Sequence, residues 1–232
     1  MRKTTGCVER ENGMRYKYIL LDLDGTVTNP EEGITKSFAY ALEHMGIHVE
    51  DRTELRKVIG PPLLQSFDEF YHFTKEQALT ATAKYRERYG DIGWAENEVY
   101  DGMEEALKTL SERGAKLILA TSKPERYAVQ IMEHFGLAKY FTMLCGADDY
   151  AKDRSTKEQV VRYALEQNGI TDIGEVIMVG DRNFDVIGAA VVGIKTIGVL
   201  YGFGDEKELS DAGAIHLVKT PKELAEYLLQ EV

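Results

Sequence analysis

Short apolar runs alternate along this chain with segments whose apolar residues recur three and four apart. Ile19, Leu20 and Leu21 form the first run, which stops abruptly at Asp22, Asp24 and Gly25. Residues 116–120, 141–145 and 176–179 repeat the pattern, and residues 196–199 and 215–218 repeat it more weakly. Runs this short, bounded by turn residues, read as strands buried on both faces of a parallel sheet. Between them lie helical faces: Met103, Ala106, Leu107 and Leu110, then Ala128, Ile131, Met132 and Phe135, then Val161, Ala164 and Leu165. Gly114 and Gly136 stop the first two, Pro124 and Pro221 open helices, and Ser155 with Glu158 reads as a capping box. Strands alternating with helices of this length predict an α/β fold, a doubly wound and mostly parallel sheet.

Residues 34–89 break the alternation. Phe38, Ala41, Leu42 and Met45 recur at helical spacing, and Thr74 with Gln77 forms a capping box for a helix through Ala78, Ala81, Tyr85 and Tyr89. Pro61 and Pro62 force a non-helical connection between the two. Because this block separates the first strand from the others, the expected organisation is a core of residues 14–33 and 98–232 with an inserted all-helical unit at 34–97. Residues 1–13 read as a loose extension whose deletion leaves activity intact.

Composition narrows the functional classes. The 232 residues carry a formal net charge of −11, which argues against a general nucleic-acid binder. An anionic substrate would have to find a locally positive site against that field. No run is long enough for a membrane helix, and the first residues have no apolar signal segment. Cys7 and Cys145 lack any metal-like spacing, which fits a reducing, cytoplasmic setting. Nothing in the sequence specifies an oligomeric state.

The candidate chemistry lies where the predicted strands end. Asp22 and Asp24 leave the first strand one residue apart, at the carboxyl edge where open α/β sheets bind ligands. Thr121 and Ser122 follow the second core strand, Asp181 follows the 176–179 run, Asp185 lies four residues on, and Lys157 sits in a first helical turn. Each has an ordinary alternative: an acidic turn, a helix cap, a solvated lysine. Two like charges leaving an apolar strand need a cation, a proton or water.

Taken in order, Asp22-Leu-Asp24-Gly25-Thr26, Thr121-Ser122, Lys157 and Gly180-Asp181 to Asp185 resemble the four-motif signature of the haloacid dehalogenase superfamily. Within it the chain is similar to the phosphoglycolate-phosphatase-like branch, with a Rossmann-like core and a helical cap after the first motif. The resemblance implies a Mg²⁺-dependent phosphatase for small phosphorylated metabolites. Asp22 would be the nucleophile, forming an aspartyl-phosphate, and Asp24 the acid and then the base. Thr121, Ser122 and Lys157 would hold the phosphoryl oxygens, helped by backbone N–H groups of Gly25 and Thr26. Asp22, Asp181 and the backbone carbonyl of Asp24 would bind Mg²⁺, with Asp185 orienting Lys157 or a metal-bound water. Lys123 and Lys152 compete with Lys157, which is preferred for its spacing from Arg154 and its place in a first turn. The 27–30 stretch departs from the branch, which there often has an acidic residue and serine. Arg56 and Lys57, beside the Gly60-Pro61-Pro62 turn, are candidates for an acidic leaving group. Alternatives are phosphoglucomutase-like transfer, a 5′-nucleotidase or pyrophosphatase specificity, and, outside enzymes, a phospho-receiver or a silent phosphate-binding module.

Overall fold

The computed structural model describes residues 14–148 and 154–230; the 1–13 extension, Cys7 and Lys152 lie outside them. Six strands make one parallel sheet in the order β5-β4-β1-β6-β7-β8. These are β1 (Tyr18–Leu21), β4 (Lys116–Pro124), β5 (Phe141–Ala147), β6 (Val176–Gly180), β7 (Lys195–Val199) and β8 (His216–Val218). A two-residue antiparallel pair, β2 (Thr28–Asn29) with β3 (Glu98–Val99), stands apart from it.

The alternation of side chains along β1, β4 and β6 sets the two faces. Ile19, Leu21, Leu117, Leu119, Ile177 and Val179 point to one side, where Met103 and Leu107 of α4 (Met103–Glu112), Ile131 of α5 (Glu125–His134) and Leu224 of α9 (Pro221–Leu228) cover them. Leu20, Ile118 and Met178 point to the other, against Val160 and Ala164 of α6 (Lys157–Gln167) and Ala189 of α7 (Asn183–Val191). A short α8 (Glu206–Ala212) links β7 to β8. Leu20 and Ile118 are fully buried, and each such side chain contributes about 1.5–3 kcal/mol. Both faces being covered is why these strands read as unbroken apolar runs.

β1 is the strand at which the order of strand addition reverses, with β4 and β5 on one side and β6 to β8 on the other. Leu21 is in register with Leu119 of β4 and with Val179 of β6. The residues just beyond those three therefore emerge together at one crevice, the switch point where open α/β sheets bind ligands.

Between β2 and β3 the chain is helical: α1 (Glu31–His44), a 3-10 turn at Arg52–Val58, α2 (Leu63–Tyr71), α3 (Lys75–Arg88) and a π-turn at Tyr89–Gly93. These elements share a core of Phe38, Leu42, Leu55, Phe67, Ala81 and Tyr85, which Tyr127 of α5 joins from the sheet side. Phe38 and Phe67 stack with centroids 4.2 Å apart. At the base, Gly33 N–H donates to Glu96 O, and Glu96 holds both Lys36 and Arg88. A Cβ on Gly33 would lie 2.0 Å from the Gly93 carbonyl, so the two crossing segments touch backbone to backbone.

Two local expectations shift. Thr156 rather than Ser155 caps α6, its hydroxyl accepting from Gln159 N while Gln159 Oε1 accepts from Thr156 N. Both pairs fit the capping-box pattern, and the geometry selects the second. β4 also continues through Thr121 and Ser122 to Pro124, with a break in its pairing to β5 between Ala120 and Pro124.

Candidate active site

Lys157 is the first residue of α6 and only 5% exposed. Its Nζ lies 2.7 Å from Asp22 Oδ1 and 2.7 Å from Asp185 Oδ1, and donates to Ala120 O at 2.9 Å. Burial works against its charge, but the Asp185 and Asp22 carboxylates outweigh that and raise its pKa above the ordinary lysine value. A close approach of two helices delivers the side chain: a Cβ on Gly188 of α7 would stand 2.7 Å from Lys157 Cβ. One ammonium hydrogen bond goes to Ala120 O, while the two carboxylates are ion-paired with it at 2.7 Å, their near oxygens having no hydrogen-bond partner among the described residues. Lys157 thus offsets the charge of Asp22.

Asp181 follows β6 and is fully buried. Its Oδ2 accepts from Phe203 N at 2.8 Å, and Thr26 Oγ1 reaches its Oδ1 at 3.5 Å. Burial, then the neighbouring Asp185 and Asp22 carboxylates, push its pKa well above the usual range. Asp185 sits at the start of α7, where its Oδ2 accepts from Arg182 N at 3.1 Å. Burial raises its pKa to about 6 despite Lys157.

One oxygen from each of Asp22, Asp181 and Asp185 lies within 4.8 Å of the others. Three converging carboxylates face a single ammonium, so a hard divalent cation suits the donor set and would relieve the desolvation that Asp181 and Asp185 carry. The Asp24 side chain is not part of this trio, and the scattered histidines contribute nothing to it among the described residues.

Gly25 shapes the turn after β1. Its φ of +81° is left-handed, and a Cβ there would lie 2.0 Å from Asp181 Oδ2. The turn uses the N–H groups that the sequence suggested were free: Gly25 N donates to Thr28 O and Thr26 N to Leu23 O. Thr26 is buried and directs its hydroxyl at Asp181. Both amides expected to face phosphate are thus already hydrogen-bonded within the turn, because a turn this tight closes on its own donors. Thr121 is also buried, and its Oγ1 accepts from Lys123 N at 3.2 Å, which leaves its proton free to donate. Ser122 is half-buried beside it.

Asp24 Oδ2 is held by Lys123, itself 8% exposed, while Oδ1 is buried with no hydrogen-bond partner among the described residues. Burial raises the Asp24 pKa, Lys123 lowers it and Asp22 raises it, with the net shift upward. Of the two lysines named against Lys157, Lys123 thus meets the other aspartate, and Lys152 lies outside the described residues.

The helical segment reaches the crevice through Ile59 and Gly60. Ile59 O accepts from Arg182 Nη1, and Arg182 Nε is fixed by Glu208 at 2.8 Å. Arg56 is paired with Glu31 at 3.2 Å and lies over the Phe203 ring, while Lys57 lies over Phe70. Arg56 is more than half exposed in that pair, and the Lys57 contact leaves its hydrogen-bond donors free. Sequence reasoning missed Arg182, the Tyr201–Phe203 segment and the role of Lys123. The paired glycines Gly202 and Gly204 after a strand were the available signal, since a Cβ on either would strike Asp181.

No helix among the described residues is long and apolar enough to cross a membrane. Comparison with known proteins gives consistent results. A 5′-nucleotidase of Pseudomonas aeruginosa is 43% identical over 200 residues, covering 86% of this chain and 90% of that protein. The tyrosine-protein kinase PtkA of Mycobacterium tuberculosis is 37% identical over 83% of this chain, though only 65% of its own length is matched. A crystal structure described as a predicted phosphatase from Clostridium acetobutylicum is 47% identical, with a TM-score of 0.88 over 92% of this chain and 98% of that one. The sequence model of the haloacid dehalogenase-like hydrolases matches residues 19–199, which include Asp22, Asp24, Thr121, Lys123, Lys157, Asp181 and Asp185, and the chain belongs to that family.

Proposed function

We propose that this haloacid dehalogenase-like phosphatase hydrolyses small phosphate monoesters through an aspartyl-phosphate on Asp22, and that nucleoside monophosphates are its substrate class. The observation that carries the chemistry is the buried ammonium of Lys157 shared between Asp22 and Asp185 at 2.7 Å each, beside Asp181. It fixes the Asp22 carboxylate at the carboxyl edge of β1 and limits the charge an incoming phosphate must meet. Asp22 attacks phosphorus, so that an Asp22 O–P bond forms while the ester P–O bond breaks and Asp24 gives its proton to the departing alcohol. The Asp24 carboxylate then takes a proton from water, the water oxygen attacks phosphorus, and the Asp22 O–P bond breaks to release inorganic phosphate. Thr121 and Ser122 donate to the phosphoryl oxygens. Asp22, Asp181 and the Asp24 carbonyl, with Asp185 alongside, would hold Mg²⁺, which neutralises the phosphoryl charge when bound. Residues 34–97 act as the cap that excludes water.

The nucleotide reading is supported by the name of the Pseudomonas relative. With Mg²⁺, a panel of nucleoside monophosphates, phosphoglycolate, pyrophosphate and sugar phosphates should give kcat/KM at least about tenfold higher for a nucleoside monophosphate, a margin worth one tight contact. A preference for any other member, or isomerised sugar phosphate in place of free phosphate, overturns that part. Asp22→Asn should abolish turnover of every member, and wild-type rates would remove the proposed chemistry altogether.

A further inference from the structure

Lys123 is the second residue after Thr121 on β4, at the end of the strand beside β1. Its ammonium has two neighbours of different origin. From the sheet core comes Asp24 Oδ2, in direct ion pairing. From the helical segment comes the face of Tyr89, whose ring centroid is 5.0 Å from Nζ. Tyr89 opens the π-turn after α3, is 3% exposed, and is itself held by Tyr85 stacked at 5.3 Å and Tyr127 edge-on at 5.2 Å. A desolvated ammonium over an aromatic face is a favourable contact. Lys123 therefore sits between a carboxylate from the core and a ring from the cap.

The chemistry of the two groups restricts where a proton can be. Lysine has donors and no acceptor, so it favours as its partner the carboxyl oxygen that carries no proton, the stronger acceptor of the two. With Lys123 on Oδ2, a protonated Asp24 bears its hydrogen on Oδ1, the oxygen that has no partner among the described residues. We propose that Lys123 is the positioning residue of Asp24, confining its exchangeable proton to Oδ1, and that the Tyr89 ring on the cap holds the ammonium in place. The inference rests on the reading of Asp24 as acid and base. A lysine present only to balance charge would have no reason to distinguish one leaving group from another. A positioning residue does, because an alkoxide needs the proton of Asp24 to depart and p-nitrophenolate does not.

The test compares kcat/KM, which reports the steps up to leaving-group departure, for p-nitrophenyl phosphate and for the best alkyl monophosphate of the panel above. Lys123→Met keeps the aliphatic stem and should lower the alkyl value by about 10²-fold, the lower end for loss of acid catalysis. The p-nitrophenyl value should fall less than about tenfold, since that departure draws little on the acid. Lys123→Arg should recover most of the alkyl value, and Tyr89→Leu should lower it by about fivefold with the same discrimination between esters. Equal losses on both esters in Lys123→Met, or no loss on the alkyl ester, overturn the inference; a Tyr89→Leu enzyme with wild-type values removes the part assigned to the cap. Thermal unfolding of each variant separates these results from simple misfolding. Asp24→Asn is the control for the underlying reading. If it discriminates between the esters and Lys123→Met does not, only the inference falls; if it leaves the alkyl ester untouched, the acid–base assignment falls and takes the inference with it.

Discussion

Replacing Lys157 by methionine tests how far the site is held together by one charge. In chelator, the substitution leaves Asp22, Asp181 and Asp185 facing one another without the ammonium that touched two of them at 2.7 Å. Removing one member of a buried pair costs about 3–5 kcal/mol when the remaining charge cannot escape. Asp185 can escape. Its pKa is about 6 with Lys157 in place and rises once that ammonium is gone, so taking up a proton at pH 7 adds no more than about 1.4 kcal/mol, one pH unit's worth of free energy. Asp22 is 13% exposed at its side chain and contributes the remainder, so the loss should be about 2–4 kcal/mol at pH 7. In urea this corresponds to a midpoint lowered by roughly 1 M, taking a slope near 3 kcal/mol per M. The loss should shrink at pH 5, where Asp185 is mostly protonated and pairs little with Lys157. Asp185→Asn added to Lys157→Met should recover part of the stability, with a coupling of about 1–2 kcal/mol. A Lys157→Met protein within about 0.5 kcal/mol of wild type at pH 7 would refute the reasoning, because a buried unpaired charge must cost more than a surface change.

Other outcomes follow from the same geometry. Metal-free wild type should lose stability as pH rises from about 4 to 6.5, because the folded pKa of Asp185, about 6, lies above its unfolded value near 4. Asp185→Asn should flatten that part of the urea-midpoint profile, and an unchanged slope would exclude Asp185 as its source. Gly25→Ala combines left-handed φ with a Cβ 2.0 Å from Asp181 Oδ2, so turnover of p-nitrophenyl phosphate should fall by about 10² or more as Asp181 is displaced. Arg182→Ala frees the Ile59 carbonyl on the helical segment and should raise KM several-fold with a smaller change in kcat, measured on the preferred substrate. Dialysis against EDTA should abolish activity, and Mg²⁺ should restore it, checked by phosphate release.

The parts of the fold that were legible in the sequence are those where a periodic pattern meets an obligatory burial. Ile19 to Leu21, Leu117 to Leu119 and Ile177 to Val179 are unbroken apolar runs because helices cover both faces of the sheet. The helical segment was legible for a related reason: Phe38, Ala41 and Leu42 must all face one shared core. Capping was legible only to within a residue. Ser155 with Glu158 and Thr156 with Gln159 satisfy the same rule, and nothing local separates them until Ser155 N and Thr156 N are both seen to reach Gln159 Oε1.

The site divides along a different line. Asp22, Asp181 and Lys157 were legible because each follows or opens an element whose position the sheet dictates, and parallel register carries Leu21, Leu119 and Val179 to one edge together. What the sequence hid was the assignment of partners. Nothing in Thr121-Ser122-Lys123-Pro124 says that its lysine meets Asp24 while a lysine more than thirty positions on meets Asp22, since that choice depends on where β4 bends after Ala120 and on how closely Gly188 lets α7 approach α6. The same holds for the Gly25 and Thr26 amides, which an open loop would offer to an anion and a tight turn keeps for itself. Two lysines, each bound to a different aspartate of one motif, give those aspartates different environments one residue apart. Asp22 lies in a trio of carboxylates suited to a divalent cation, whereas Asp24 has one oxygen on an ammonium and the other buried without a partner. That difference in surroundings is what supports the proposal of two different roles for two chemically identical side chains.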